Sequence, residues 1–289
     1  MNTSHLRPRR SVLYMPSSNT KALDKAKTIP CDAIIFDLED AVAPDAKPTA
    51  REQAVAAVGS AAYGRRELTI RCNGLDTPWG ADDIAAAGAA KPVAVVIPKV
   101  NSTVELDTVA AALDAAGGTD TMIWAMVETP TAIFDVRAIA AHPRVAVLVM
   151  GTNDLAKEIG APQVPGRGNL APYLATAVLA AREAGTVILD GVYNDIADAD
   201  GFTAECRQGV EMGFDGKTLI HPSQVDPANA AWSPNADEVD FARRVIAAFE
   251  EAEADGRGVI TVDGKMIEHL HVANARRTLA VADAIAALD

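Results

Sequence analysis

Short apolar runs alternate with helix-like segments along most of the chain. Two clear runs are residues 122–127, which end immediately before Glu128, and residues 145–150, which end shortly before Asp154. The chain between them is long enough for one helix. A strand, a helix and a second parallel strand place the two strand ends side by side. The pattern therefore predicts that Glu128 and Asp154 lie close together.

The same alternation extends from residue 10 to residue 221. The predicted strands are short and apolar throughout, which is typical of a parallel sheet covered by helices. Eight such units in about 220 residues fit an α/β fold of the closed (β/α)8 TIM barrel type better than a doubly wound open sheet. The open sheet is further disfavoured because no dinucleotide-binding fingerprint follows the first strand. The predicted strands are residues 10–16, 33–40, 68–73, 93–99, 122–127, 145–150, 186–190 and 216–221, and the predicted helices between them include 19–27, 48–58, 82–90, 103–116, 174–184 and 203–212.

Acidic side chains are concentrated at the ends of these strands, where a barrel of this type carries its catalytic groups. Two carboxylates on neighbouring strands repel each other unless a proton or a cation lies between them. Mg²⁺ is typically bound by one or two carboxylates, with water and substrate completing its coordination. A divalent-cation site is one interpretation; solvated loop acids, or Asp154 as a helix N-cap, are the alternatives. The strand-end acids are Asp37, Glu39, Asp40, Glu128 and Asp154.

Arg71 is the only arginine at a predicted strand end. Its guanidinium is suited to a substrate carboxylate or to a developing oxyanion. The alternative is a structural salt bridge with one of the strand-end acids, because buried arginines are usually paired.

Composition narrows the possible partners. The 289 residues carry a net charge of −13, which argues against nucleic acid as a partner but not against an anionic substrate bound by a local cationic cluster. Three widely spaced cysteines without a CxxC pattern are interpreted as reduced core thiols of a cytoplasmic protein. Residues 1–10 lack the apolar segment of a secretory signal, and no apolar run approaches the roughly 20 residues that span a bilayer, so no membrane partner is expected.

Six segments in the same order along the chain resemble the citrate lyase β-subunit-like and malyl-CoA lyase family of the HpcH/HpaI aldolase superfamily. Each segment alone is weak evidence, but together they span nearly the whole sequence. They are RSVLYMP at 10–16, FDLEDAV at 36–42, RCNG at 71–74, ETP at 128–130, GTNDL at 151–155 and FDGKTLIHP at 214–222.

The resemblance implies an Mg²⁺-dependent barrel enzyme, with Mn²⁺ as a possible substitute, that acts on CoA thioesters of hydroxy acids. It implies that Glu128 and Asp154 bind the metal and that Arg71 holds oxygens of the acyl group. Glu39 and Asp40 would orient metal-bound waters. The aldolase branch carries a histidine base where this chain has Asp40, which argues against a pyruvate-type aldolase.

In this family a C-terminal segment reading roughly G-x-M-I-D supplies an acid to the site of a neighbouring subunit. The matching acid here is Glu268, one methylene longer. The first hypothesis is retro-Claisen cleavage of a malyl-CoA or citramalyl-CoA type of substrate, with Glu268 protonating the enolate of the acyl-CoA product. The second is hydrolysis by a malyl-CoA thioesterase, the branch that the ending Glu268-x-Leu270-His271 resembles more closely. A non-catalytic acyl-CoA-binding protein is the third, and Glu268 as a plain helix-start residue is the structural alternative.

Residues 1–232 are predicted to form the barrel and residues 233–289 a helical extension. The extension is interpreted as an arm or lid of a homotrimer or homohexamer, or alternatively as packing within its own subunit. It is predicted to contain a helix over 237–255, a hinge at 256–258, a strand at 259–262 and a helix over 272–288. The predicted CoA contacts are Arg10, Lys21 and Lys25 as cations, and Asp190 and Asn194 as hydrogen-bonding groups.

Overall fold

Eight parallel strands pair in chain order, and the last pairs with the first. The structure is a computed structural model, and it describes residues 7–254 and 258–288. The predicted closed barrel is confirmed, and the open-sheet alternative is wrong because Ser11, Val12 and Leu13 of the first strand pair with the eighth. The strands are β1 Ser11–Pro16, β2 Ala33–Asp37, β3 Glu67–Arg71, β4 Ala94–Ile97, β5 Met122–Val127, β6 Val145–Met150, β7 Val187–Asp190 and β8 Gly216–Leu219.

Helices follow the strands and cover the outside of the barrel. Those of residues 9–231 are α1 Thr20–Ala26, α2 Lys47–Val58, α3 Gly80–Ala90, α4 Thr103–Ala115, α5 Pro130–Ala140, α6 Thr152–Glu158, α7 Ala171–Ala184, α8 Ala199–Met212 and α9 Val225–Ala231. The sequence analysis gave no bounds for the short helix α6, where it considered only an N-cap at Asp154, and it did not predict α9. Their seven residues each leave too few turns for a clear helical period.

The strands β2, β3, β4 and β8 end two or three residues earlier than predicted. In β2 and β8 the reason is that side chains capture the next backbone N–H groups. The carboxylate of Asp37 accepts the N–H of Glu39 at 2.9 Å and of Ala41 at 3.2 Å, so the chain turns after β2. Gln224 Oε1 accepts the N–H groups of Ile220 and His221 at 3.0 and 3.3 Å, so β8 stops at Leu219. Both turns lie at the C-terminal ends of strands.

Alternate residues of the strands fill the barrel interior, as the two-residue period of a strand requires. The interior is packed, so it is not a channel. On three strands the last interior apolar residue is followed, two positions later, by a residue of the site. These three residues are Asp37 on β2, Glu128 after β5 and Gly151 after β6. The polar site therefore lies directly above the apolar filling. That filling comprises Val12, Ala33, Ile35, Ala94, Val96, Trp124, Met126, Val147, Val149, Val187 and Leu189.

A buried ionic network joins β7 and β8 to α8 and to the loop before α7. Lys217 Nζ lies 2.9 Å from Asp190 Oδ2 and 2.8 Å from Glu205 Oε1, and the Lys217 side chain is fully buried. Arg167 contacts the second Asp190 oxygen at 2.6 Å. Burial alone would raise the pKa of Asp190, but Lys217 and Arg167 lower it overall. The Asp190 carboxylate is therefore held ionised inside the protein.

Residues 7–8, 232–254 and 258–288 form a second compact unit. Its elements are α10 Ala236–Ala254, the antiparallel hairpin of β9 Ile260–Val262 and β10 Lys265–Ile267, and α11 His269–Ala286. Its core includes Val245, Phe249 and Ile267. The sequence analysis anticipated β9 but not β10, and α11 begins three residues earlier than predicted. Asp255 and residues 256–257 of the predicted hinge lie outside the described residues, and the role as a lid stays a prediction.

Cys31, Cys72 and Cys206 are buried free thiols, as the sequence suggested. Across the described ranges, none of the helices combines the length and the apolar character needed to span a membrane.

We expect Lys217→Met to lower the free energy of unfolding by about 3–5 kcal/mol, because Glu205 and Asp190 would lose a buried cationic partner. Chemical denaturation followed by circular dichroism measures the change. The matched control is Arg137→Met, which removes an ion pair with Glu183 whose side chains are 79% and 53% exposed; it should leave the free energy of unfolding nearly unchanged, because water screens an exposed pair. Equal effects of the two substitutions would contradict the assigned role of the network.

Candidate active site

A cavity of about 350 Å³ opens at the C-terminal ends of the barrel strands. Its lining comes from both sides of the barrel mouth and combines acids, one arginine and a few apolar groups. The polar lining includes Tyr14, Asp37, Asp40, Arg71, Glu128 and Asp154. The structure thus brings together most of the residues that the sequence placed at strand ends.

Glu128 and Asp154 line this cavity from the neighbouring strands β5 and β6. Glu128 is 2% exposed, and its Oε1 accepts the backbone N–H of Lys99 at 2.7 Å. Burial raises the pKa of Glu128 to about 7; the Lys99 hydrogen bond opposes this rise, and the negative charge of Asp154 adds to it. Asp154 lies in the first turn of α6, whose N-cap is Gly151, so the interpretation of Asp154 as an N-cap is wrong.

Gly151 leaves the space that the Glu128 side chain occupies. A Cβ atom added at Gly151 would overlap Oε2 and Cβ of Glu128. Because Gly151 has a φ of −95°, the position does not demand glycine for its backbone conformation. The close approach of the Glu128 carboxylate explains the glycine at the end of β6.

Arg71 is both buried in an ion pair and exposed to the cavity. Its Nε and NH2 atoms contact the two oxygens of Asp37 at 2.7 and 2.6 Å. Its remaining nitrogen, NH1, lies 2.7 Å from Glu39 Oε2 and 3.4 Å from Asp40 Oδ2. The structural salt bridge is confirmed, because Asp37 holds the guanidinium while NH1 faces Glu39 and Asp40. The role of Arg71 in binding a substrate oxygen stays a prediction.

Glu39 experiences the surplus of negative charge in this cavity. Burial raises the pKa of Glu39 to about 8; Arg71 lowers it, and Asp40, Glu128 and Asp37 raise it further. The carboxylates of the site outnumber the cations Arg71 and Lys99. A bound divalent cation would reduce this imbalance.

The donor set fits a hard, oxygen-binding cation such as Mg²⁺. Within residues 7–254 and 258–288 no three His, Cys, Asp or Glu side chains converge as a complete metal cage. Glu128 and Asp154 offer two carboxylates beside an open cavity, and Mg²⁺ usually takes one or two carboxylates and fills its other positions with water and substrate. The assignment of these two residues as ligands stays a prediction.

Two predicted CoA contacts are corrected by their positions. Arg10 precedes β1 and so lies at the opposite, N-terminal end of the barrel, where its NH2 contacts Asp32 at 2.8 Å. Asp190 is fully buried, and both of its oxygens contact Lys217 or Arg167. Neither side chain is available to a ligand at the mouth that contains Glu128.

The other predicted contacts are accessible. Lys21 and Lys25 are exposed on α1, which follows β1 at the mouth of the barrel. Asn194 lines the cavity and exchanges hydrogen bonds of 2.8 and 3.1 Å with Asn153. Asn153 and Asn194 also line an adjoining cavity of about 650 Å³. Their roles in binding CoA stay predictions.

Glu268 is the N-cap residue of α11 in the second unit. Its backbone N–H donates to His271 Nδ1 at 3.2 Å, so His271 stabilises the start of the helix. The Glu268 side chain is half-buried.

The sequence analysis missed Lys47 and Tyr14. Lys47 is 6% exposed, and its ammonium donates to Leu38 O, Glu39 O and Asn73 Oδ1 at 2.7–3.0 Å, which ties the β2 loop to the β3 loop. A lysine directly before Pro48 looks like a surface residue at a helix start. Only the fold of the loop over it shows that it is buried.

The barrel described above matches a known protein family. The HpcH/HpaI aldolase/citrate lyase family matches residues 10–222, which include the whole barrel mouth. The chain belongs to this family. It is therefore an enzyme of the citrate lyase group, and the predicted family resemblance is confirmed.

Three relatives describe its place in the family. A (3S)-malyl-CoA thioesterase of Cereibacter sphaeroides is 51% identical over 97% of this chain and 96% of its own length. An L-malyl-CoA/beta-methylmalyl-CoA lyase of the same species is 31% identical over 97% of this chain and 96% of its own. The CitE protein of Mycobacterium tuberculosis, solved with magnesium, acetoacetate and coenzyme A, is 28% identical with a TM-score of 0.79, covering 96% of this chain and 98% of that one.

We expect Gly151→Ala to weaken binding at the predicted metal site about 10- to 100-fold, because the added methyl group would displace the Glu128 carboxylate. Titration with Mn²⁺, followed by electron paramagnetic resonance, measures this affinity. Gly168→Ala is the matched control, since an added Cβ there meets no other atom within 4 Å and its φ is −58°. Wild-type Mn²⁺ affinity in the Gly151 variant would contradict the proposed contact.

Proposed function

We propose that this enzyme hydrolyses the thioester of (3S)-malyl-CoA to malate and CoA, with Mg²⁺ or Mn²⁺ as its metal. The observation that carries the proposal is the 51% identity with the Cereibacter thioesterase across 97% of the chain. The corresponding lyase is only 31% identical over the same share. This reverses the order of the hypotheses from the sequence alone, where carbon–carbon cleavage stood first.

The cavity offers each end of such a substrate a chemically suitable partner. Glu128 and Asp154 would hold the metal, which when bound would polarise oxygens of the hydroxy-acid end. Arg71 NH1 faces the same cavity and would hold a carboxylate oxygen of the substrate. Because Arg71 Nε and NH2 donate hydrogen bonds to Asp37, the guanidinium need not reorient when the substrate binds.

Hydrolysis also requires a base for water. A water molecule loses a proton to the base and adds to the thioester carbonyl carbon; the carbon–sulfur bond then breaks, and the CoA thiolate takes up a proton. We assign the base to Glu268, whose extra methylene distinguishes it from the aspartate of the lyase pattern. A carboxyl displaced by about an ångström would perform protonation of an enolate poorly, at a cost of about 100-fold.

The CoA part of the substrate is assigned to exposed groups at the same mouth. Lys21 and Lys25 would contact its phosphates, and Asn194 its amide or adenine groups. The magnesium and coenzyme A found with the Mycobacterium relative support both ligands. Assembly as a homotrimer or homohexamer, in which Glu268 serves a neighbouring subunit, belongs to the same proposal.

Incubation of the purified enzyme with (3S)-malyl-CoA and Mg²⁺ should release malate and free CoA, identified by chromatography and a thiol reagent. Glu128→Gln should lower the rate about 100-fold or more, because an amide is a weak metal ligand. Glyoxylate and acetyl-CoA as the main products would instead establish the lyase. No turnover of any hydroxyacyl-CoA would leave the acyl-CoA-binding alternative.

Glu268→Gln should reduce hydrolysis about 100-fold or more, since a positioned general base commonly contributes that much. Gln keeps the size of the side chain, and the His271 contact to the backbone of residue 268 is unaffected. Glu251→Gln on α10 is the control, because it removes an exposed acid of the same unit and should leave the rate unchanged. An unimpaired Glu268→Gln enzyme would remove Glu268 from the mechanism.

A further inference from the structure

Tyr14 lies on β1 with its side chain in the barrel interior. It packs against the apolar filling of the barrel and is partly exposed to the catalytic cavity, which it helps to line. Two residues further along the same strand, Pro16 pairs with Asp37 of β2. Tyr14 therefore stands immediately below the level of the site acids.

The ring of Tyr14 supports the guanidinium of Arg71. The central carbon of that guanidinium lies 4.8 Å from the ring centroid. A cation over an aromatic face is attracted by the electrons of the ring. Asp37 and Tyr14 thus hold Arg71 from different sides, and the phenol belongs to the same cluster as the substrate-binding arginine.

The hydroxyl of Tyr14 has no hydrogen-bond partner among the described residues. Two other tyrosines of the chain do have partners: Tyr63 donates to Leu23 O at 3.2 Å, and Tyr193 donates to Asp198 Oδ2 at 2.6 Å. Tyr14 is only partly buried and lines the cavity, and its hydroxyl is not one of the buried polar atoms that lack a partner, so the group is accessible to a molecule bound in the cavity. Among the described residues no site acid accepts a hydrogen bond from this hydroxyl, so the hydroxyl can donate to a ligand oxygen that enters the cavity.

We propose that Tyr14 is a catalytic residue whose hydroxyl donates a hydrogen bond to an oxygen of the hydroxy-acid end of the substrate, beside Arg71. This inference rests on the proposed function, which brings a carboxylate and a hydroxyl into the cavity. A neutral donor suits this place, because it binds an anionic oxygen without adding another cation for the site acids to capture. Together, Tyr14 and Arg71 would recognise a substrate that carries adjacent oxygens.

The test compares Tyr14→Phe with Tyr63→Phe. Each removes one hydroxyl and keeps the ring, and Tyr63 is 2% exposed and packs against Phe36 outside the cavity lining. Tyr14→Phe should lower kcat/KM for (3S)-malyl-CoA roughly 10- to 100-fold, as expected for a lost hydrogen bond to a charged group. It should weaken the binding of malate, measured by calorimetry with Mg²⁺ present, by a similar factor. Tyr63→Phe should change neither value.

The malate measurement separates this inference from the proposed function. If the wild-type enzyme does not hydrolyse malyl-CoA, the proposed function fails, while weaker malate binding by Tyr14→Phe alone still supports the contact. The inference is overturned if Tyr14→Phe stays within twofold of wild type, if Tyr63→Phe shows the same loss, or if malate does not bind the wild-type protein. Unchanged melting temperatures show that both variants are folded.

Discussion

The ion pair between Asp37 and Arg71 is the interaction on which the barrel mouth depends. The two oxygens of Asp37 accept four hydrogen bonds, from Arg71 Nε and NH2 and from the N–H groups of Glu39 and Ala41. One carboxylate thereby ends β2, turns the chain that carries Glu39 and aims the guanidinium. Because these groups are buried, loss of either partner would leave an unpaired charge inside the protein. Asp37 therefore links the sheet, the loop after β2 and the site residue Arg71.

Around this pair the protein gathers more negative charge than its own cations balance. The Glu128 carboxylate accepts the Lys99 N–H and occupies the space that Gly151 leaves. The Glu39 carboxylate contacts Arg71, and the Glu39 carbonyl oxygen accepts a hydrogen bond from Lys47. Burial makes each of these charges expensive, which appears in the raised pKa values of Glu39 and Glu128. Buried carboxylates with like-charged neighbours lower the stability of the fold, and they are the groups that a cation-binding site requires.

The relatives of this chain include a (3S)-malyl-CoA thioesterase and an L-malyl-CoA/beta-methylmalyl-CoA lyase, so the family includes both reactions. Under the proposed function, a metal and an arginine that hold the hydroxy-acid end would serve either reaction, whether a carbon–carbon bond or a thioester bond breaks. The distinction lies in where a proton is delivered or removed. Under the proposed function, the length of Glu268 is the feature of this chain that bears on that distinction, whereas the Tyr14 hydroxyl would bind the hydroxy-acid end in either reaction.

The sequence alone determined the barrel, its strand order and the identity of the charged residues that line the cavity. Apolar runs of strand length reveal themselves by their period, and parallel strands necessarily bring Glu128 and Asp154 to one edge. It could also have excluded Arg10, which stands before β1 rather than after it. Only the tertiary structure decided which charges are free. Asp190 forms a buried ion pair with Lys217, and Lys47 is buried under the loop that follows β2. Gly151 makes room for Glu128, and Tyr14 lines the cavity. Each of these outcomes depends on partners that are distant in the chain, and a pattern of neighbouring residues carries no information about them.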